Sequence, residues 1–302
     1  MKQEKRSKWK IVLIVVLMLF VFSFLISLFF RLLNEVPEFG NVAHIKIYGP
    51  IMVTKSGGWM SSGTSSTDIA ELIEKADKAI GVKAILLEIN SPGGSAVASD
   101  EIARAIKKSN KTTVAWIREV GASGAYWIAS ATDHIVANRM SVTGSIGVIG
   151  SYLEFAELIE QYNVTYRRMV AGKYKDLGSP FKELTEEEES LLQDLLDQLH
   201  EEFIQEVASN RNLPYEKTKE IATGMFYLGK QAKELGLVDA LGGKEEAIAY
   251  LEKQMNATAT LAKYEKPKGF WELLTEVFAE HSFRLGEGLG ESLFRKKGLL
   301  ET

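Results

Sequence analysis

The sequence contains no cysteine. This absence excludes disulfide bonds, thiolate metal sites and a cysteine nucleophile. The chain has only 4 histidines, none of them in a glycine-rich turn. Their placement disfavours a Ser-His-Asp triad, although residues distant in sequence can meet in space. The net charge of -4, from 36 basic and 40 acidic residues, gives no support to a nucleic-acid surface. Neither a metal nor an organic cofactor is indicated by any motif.

One long apolar run stands out near the N-terminus. Residues 11–30 are apolar apart from Ser23 and Ser27, and a helix of this length spans the roughly 30 Å hydrocarbon core of a bilayer. Basic residues dominate the first ten positions, so the positive-inside rule predicts a cytoplasmic N-terminus and an extracytoplasmic remainder. The alternative is a cleaved signal peptide, but no small-residue cleavage site follows the run. We therefore expect a single-pass anchor in the cell membrane.

Short apolar segments then alternate with helical patterns. This order predicts an α/β fold with a largely parallel sheet and crossover helices. The predicted strands are 42–52, 84–89, 112–117, 134–138 and 164–170.

A long helix is predicted from residue 185. Thr185 and Glu188 have the spacing of a capping box. An apolar stripe follows at helical spacing, formed by Leu191, Leu192, Leu195, Leu196, Leu199, Phe203 and Val207. The predicted organisation is a basic N-terminus (1–10), a transmembrane helix (11–30), a linker (31–40), a main α/β domain (41–263) and an amphipathic C-terminal extension (264–302).

Two glycine-rich corners follow neighbouring predicted strands. Gly93 and Gly94 lie in NSPGGS, and Ser123 and Gly124 lie in GASGAYW. Ligands bind α/β sheets at the carboxyl ends of strands, and bare backbone N–H groups at such corners can form an oxyanion hole. Ser123 is thus a candidate nucleophile. The alternative is that its hydroxyl merely caps the following helix.

A serine nucleophile needs a base, and lysine is the alternative to histidine. The turn AGKYKD supplies two, Lys173 and Lys175. A lysine base must be neutral, which requires a pKa below the usual value of about 10.4; burial beside apolar groups can lower it. Either lysine can equally be a solvated loop residue.

Taken together, the motifs NSPGGS, GASGAYWIAS, HIVANRMSVTGSIGV and GKYKD resemble the signal peptide peptidase A family of membrane-anchored serine proteases, in the family's order. The resemblance covers roughly residues 40 to 250 and implies the fold of the Clp protease subunit and the crotonases, with repeated ββα units. It implies that Ser123 is the nucleophile, Lys175 the general base and Ser145 the hydroxyl that orients the lysine. Backbone N–H groups of Gly124 and of the Gly93–Gly94 turn would hold the oxyanion.

The resemblance further implies a homo-oligomeric ring in which neighbouring subunits share each active site. The expected substrates are apolar peptides, such as remnant signal peptides, cleaved at the outer side of the membrane without metal or cofactor. Two rival hypotheses remain. A crotonase-like acyl-CoA enzyme would use the same corners to polarise a thioester, and a non-catalytic membrane scaffold would need neither Ser123 nor Lys175.

Overall fold

The computed structural model describes residues 40–54 and 63–266, together with five single helical residues near the N-terminus, Ile14, Val15, Met18, Phe22 and Ile26. The strands are β1 (Val42–Tyr48), β2 (Ile51–Met52), β3 (Thr64–Ser65), β4 (Ala84–Ser91), β5 (Thr112–Ala122), β6 (His134–Ala137), β7 (Val142–Gly144), β8 (Phe226–Leu228), β9 (Ala240–Leu241) and β10 (Leu261–Lys263). The helices are α1 (Ser66–Lys78), α2 (Ala96–Lys108), α3 (Gly124–Ser130), α4 (Ala156–Gln161), α5 (Glu186–Arg211), α6 (Tyr215–Ile221), α7 (Gly229–Leu235) and α8 (Lys244–Met255).

The main sheet confirms the predicted α/β class. Its strand order is β10-β1-β4-β5-β6-β9, and every neighbouring pair on this path is parallel. Strand β7 pairs in parallel with the last residues of β5, and β8 pairs with β7 antiparallel. All the long central strands therefore end at the same edge of the sheet, where the two glycine-rich corners lie.

Both faces of the sheet are covered. Helices α1, α2 and α3 and the C-terminal half of α5 pack on one face, and α8 packs on the other. Strand β4 is buried along almost its whole length because it lies between β1 and β5 under both layers. Fully burying an isoleucine such as Ile85 stabilises the fold by about 1.5–3 kcal/mol, so this core holds the strand ends in fixed positions.

The capping box at the start of α5 is confirmed. The backbone N–H of Glu188 donates to Thr185 Oγ1 over 3.2 Å, and the backbone N–H of Thr185 donates to Glu188 Oε2 over 3.1 Å. Of the predicted apolar stripe, only Phe203 and Val207 are buried, whereas Leu191, Leu195 and Leu199 are exposed. The first turns of α5 thus lie outside the core of this chain.

The predicted strand at 164–170 is wrong. These residues form no strand, and none of them is buried. They belong to a segment that we call the arm, residues 151–183, whose one regular element is α4. Valine and tyrosine favour strands only where they can pack on a neighbour, and the arm pairs with no strand among the described residues.

The predicted anchor, residues 11–30, lies outside the described residues except at the five single positions above. Among the helices that the structure describes, none combines the length and the apolar character needed to cross a membrane. The predicted C-terminal extension also lies outside the described part after residue 266.

Candidate active site

The two glycine-rich corners meet at the carboxyl ends of β4 and β5. Ser91 of β4 pairs with Gly121 of β5, so the turns that follow leave the sheet side by side. The turn at Gly93 has φ 99°, and a Cβ atom there would lie 2.7 Å from the backbone nitrogen of Gly124. Only glycine fits this position, because the two corners are in direct backbone contact.

Ser123 has an unusual backbone conformation, with φ 54° and ψ -128°. A non-glycine residue in such a region costs on the order of 1–3 kcal/mol and persists only where its surroundings fix it. The Ser123 N–H donates to the carbonyl of Gly144 over 2.8 Å, and its own carbonyl accepts from Tyr126 N–H over 2.8 Å. Neighbouring backbone thus holds the nucleophile candidate at the corner.

The capping interpretation of Ser123 is wrong. Its side chain makes no capping hydrogen bond to α3, and with the described residues its hydroxyl makes no hydrogen bond at all. The residue is half-buried. The hydroxyl is therefore accessible and not used to stabilise the helix.

The backbone N–H groups of Gly94 and Gly124 lie close to one another beside Ser123. A Cβ atom on Gly124 would lie 3.3 Å from the backbone nitrogen of Gly94. Within the described part of the chain, neither N–H donates to a backbone or side-chain acceptor. Two free donors close to a hydroxyl are groups that can stabilise an oxyanion.

Strand β7 brings a second serine to the same place. Ser145 directly follows β7, which pairs with the end of β5. It also has a positive φ, 51°, and its N–H donates to the carbonyl of Met225 over 2.9 Å. Ser123 and Ser145 line one open cleft of about 530 Å³.

The other walls of this cleft come from an extended segment, from α5 and from the loop before β8. Its apolar surface comes mainly from Val148, Ile149 and Leu196, and its polar groups include Asp197 and His200. The contribution of α5 was not predicted from the sequence. The four-residue spacing of Leu196 and His200 was a usable signal, because it places them on one helical face.

Lys175 does not line this cleft. The residue is exposed on the arm. Lys173 instead pairs with Glu187 over 2.7 Å, and hydrogen bonds to Glu187 and Tyr174 raise the pKa of Lys173 above its usual range. Lys173 is consequently held in its charged form and is poorly suited to accept a proton.

The carboxylates around Lys175 are occupied by other cations. Asp176 accepts from Arg168 over 2.8 Å, and Glu188 accepts from Lys182 over 2.6 Å. With the described residues, the Lys175 side chain forms neither a hydrogen bond nor an ion pair. In the AGKYKD turn, Lys173 is paired, so the side chain of Lys175 is the one that can contact another molecule.

No group of three or more His, Asp or Glu side chains among the described residues is placed to hold a metal ion. The titratable cluster of His44, Glu88, Tyr48 and Arg118 lies on the sheet, outside the cleft-lining residues. Burial lowers the pKa of His44, although Glu88 Oε2 lies 2.7 Å from its Nε2. This cluster links β1, β4 and β5.

Comparison with known proteins gives a consistent result. The profile described as peptidase family S49 matches residues 105–258. A putative protease of Methanocaldococcus jannaschii is 36% identical over 74% of this chain and 72% of its own length. A putative signal peptide peptidase SppA of Enterococcus faecium is 38% identical over 64% of this chain and 57% of its own. The chloroplastic serine protease SPPA of Arabidopsis thaliana is 34% identical over 75% of this chain and 35% of its own.

Proposed function

Because the chain belongs to peptidase family S49 and is a serine-type peptidase, we propose that it hydrolyses peptides with Ser123 as nucleophile and Lys175 as general base. The observation that carries the proposal is the strained backbone of Ser123, which holds an unbonded hydroxyl beside the free N–H groups of Gly94 and Gly124. We also place the sheet and its crossover helices in the Clp protease and crotonase-like class.

The base comes from a neighbouring copy of the chain. Lys175 is exposed and lies outside the cleft of its own subunit, so a single chain does not bring it to Ser123. The arm that carries it has no buried residue. Several large apolar side chains of the arm are exposed: Tyr152, Leu153, Leu158, Tyr162, Val164, Tyr166, Met169, Val170, Tyr174 and Phe181.

An exposed apolar surface of this size favours a protein contact. We propose that a second copy of the chain binds this surface, because the contact would bring Lys175 of one subunit to Ser123 of the next and complete the active site. Repetition of such a heterologous contact closes a ring. Ser145 lies in the same cleft as Ser123, where its hydroxyl can orient the incoming lysine.

The reaction proceeds by acyl transfer. Neutral Lys175 accepts the proton of the Ser123 hydroxyl while Ser123 Oγ attacks the scissile carbonyl, and the Gly94 and Gly124 N–H groups stabilise the oxyanion. The C–N bond then breaks as the lysine returns the proton to the leaving amine. Water, deprotonated by the same lysine, attacks the acyl carbonyl, the bond between that carbon and Ser123 Oγ breaks, and the lysine returns the proton to Oγ as the new carboxyl terminus leaves.

The substrates are apolar peptides. Val148, Ile149 and Leu196 give the cleft an apolar wall next to the nucleophile, and burial of an apolar substrate side chain there is favourable. Remnant signal peptides fit this chemistry. The apolar run at residues 11–30 supports a membrane anchor, with the catalytic domain at the outer side of the cell membrane.

The test is hydrolysis of a quenched-fluorescent apolar peptide by the full chain beside Ser123→Ala, Lys175→Ala and Lys173→Ala. We expect the first two variants to lose at least about 10³-fold in kcat, and Lys173→Ala to keep wild-type activity. All must unfold at similar temperatures and assemble equally. Full activity of Ser123→Ala would contradict the nucleophile and support a different catalytic group.

Mixing the two inactive variants tests the shared site. If Ser123 and Lys175 act from neighbouring subunits, a mixture refolded or co-expressed at equal amounts regains up to about a quarter of wild-type activity, because random assembly pairs an intact serine with an intact lysine in one site of four. If both residues act within one chain, the mixture stays inactive.

A further inference from the structure

His200 is the histidine that lies in the cleft with the two serines. It is half-buried in α5, and its Nε2 lies 3.3 Å from the carbonyl oxygen of Ile146. A carbonyl oxygen can only accept a hydrogen bond, so His200 carries its proton on Nε2 in this geometry. That nitrogen therefore cannot also accept a proton from Ser123.

The carbonyl that His200 contacts belongs to the turn of Ser145. Ile146 follows Ser145 directly and is fully buried, and its carbonyl oxygen also accepts from Gly224 N–H over 3.0 Å. The third hydrogen bond of the turn runs from Ser145 N–H to the carbonyl of Met225. Two of these three hydrogen bonds of Ser145 and Ile146 thus involve one short loop before β8, and the remaining one, from His200, links Ile146 to α5.

The positive φ of Ser145 makes these restraints important. A serine in this conformation keeps it only while the surrounding contacts fix it. Gly144, before Ser145, is held by the hydrogen bond from Ser123 N–H. Without the His200 contact, the hydrogen bonds of Ser145 and Ile146 themselves reach only residues 224 and 225, so this side of the turn can move together with their loop. A shift of Ser145 changes where its hydroxyl meets the incoming lysine.

We propose that His200 is a positioning residue, which holds the Ser145 turn through a hydrogen bond from its Nε2–H to the carbonyl oxygen of Ile146. The inference rests on the proposed function, because it assigns His200 a role through the hydroxyl that orients Lys175. Removal of the bond therefore affects the chemical step and leaves substrate binding nearly unchanged.

The experiment measures kcat and KM of the full chain and of His200→Leu, His200→Gln and His200→Asn with the quenched-fluorescent apolar peptide. We expect His200→Leu to lower kcat about tenfold, with KM within about twofold of wild type. His200→Gln should recover most of kcat, since its amide nitrogen can reach and donate to the same carbonyl. Gln198→Ala, on the exposed side of α5, is the matched control and should behave as wild type.

His200→Asn keeps the test decisive if His200→Leu fails to fold. Its amide is polar but one carbon shorter, so it should lose kcat as the leucine variant does. An unchanged kcat in His200→Leu or His200→Asn overturns the inference. A raised KM with unchanged kcat also overturns the inference, because His200 would then contact substrate. A His200→Gln variant as inactive as Ser123→Ala overturns it too, because His200 would then be the base.

Failure of the proposed function gives a different pattern. Cleavage that persists in Ser123→Ala and Lys175→Ala contradicts both the dyad and the role of His200 that depends on it. Cleavage that requires Ser123 and Lys175 but is indifferent to His200 contradicts the inference alone.

Discussion

The sheet and the helices on it bury most of their apolar side chains within the chain, whereas the arm leaves most of its apolar side chains exposed. On the sheet side, helix α3 directly after Ser123 is buried at every position, and the corner glycines are in backbone contact. On the arm, no residue is buried, and Met169 is 93% exposed. One chain therefore completes the surroundings of the nucleophile and leaves those of the base incomplete, so that catalysis under the proposed function is linked to assembly.

Equal truncations in the two regions should have unequal effects on stability. Ile102→Ala removes a fully buried side chain of α2 and should lower the free energy of unfolding by about 2–5 kcal/mol. Met169→Ala should change it by no more than about 0.5 kcal/mol but weaken assembly, because under the proposed function the arm contacts the neighbouring subunit. Denaturant unfolding and sedimentation velocity measure the two quantities. A large loss of stability in Met169→Ala under monomeric conditions would show that the arm packs within its own chain.

Adding a Cβ atom at Gly94, in the corner after β4, should lower both stability and kcat. A Cβ at Gly94 would lie 2.1 Å from the backbone oxygen of Ile51, so Gly94→Ala must shift backbone, at a cost of about 1–3 kcal/mol. The N–H of Gly94 moves with it, and we expect kcat to fall at least about 10²-fold. Gly81→Ala is the matched control, since a Cβ there meets nothing within 4 Å. Wild-type kcat in a folded Gly94→Ala variant would exclude this N–H from the oxyanion site.

Mild acid should weaken the sheet without acting on the arm, which contains no histidine. Burial lowers the pKa of His44 and of His134. Unfolded histidine titrates near about 6.5, so below this pH the unfolded chain binds more protons and stability falls toward the folded pKa values. Burial opposes ionisation of Glu88, but hydrogen bonds from Tyr48 and His44 outweigh it and lower its pKa, so Glu88 stays ionised at pH 5.5.

His44→Gln tests this smallest effect because it keeps an amide donor for Glu88 and removes the titration. We expect the loss of stability between pH 7.5 and 5.5 to shrink by about half relative to the wild type, with the remainder due to His134. Thermal unfolding at the two pH values provides the measurement. An unchanged loss in His44→Gln would assign the acid sensitivity to other groups.

The same contrast explains which features the sequence could predict. The corners at Gly93 and Ser123 were predictable because glycine-rich turns after apolar strands are local signals. The strand expected at 164–170 was wrong because valine and tyrosine there form exposed surface and have no sheet neighbour. His200 was missed because its place in the cleft depends on how α5 crosses the sheet. Under the proposed function, the position of Lys175 relative to Ser123 depends on contacts between chains, which local patterns of strands, helices and turns do not encode.

The direction of the strands sets how far the proposed nucleophile lies from the proposed membrane anchor. Strands β1 and β10 start side by side, with Val42 paired to Leu261, whereas Ser123 follows the far end of β5. Ala84 and Ser91 of β4 pair with Thr112 and Gly121 near the two ends of β5, and the residue steps of β4 between them, at about 3.3 Å each, separate these two edges by roughly 23 Å. Under the proposed function, with an anchor preceding residue 40, this length separates the proposed nucleophile from the anchored edge of the sheet by most of the thickness of a bilayer core. A peptide would then have to leave the lipid before it is cut, and polypeptides still embedded in the membrane would be out of reach.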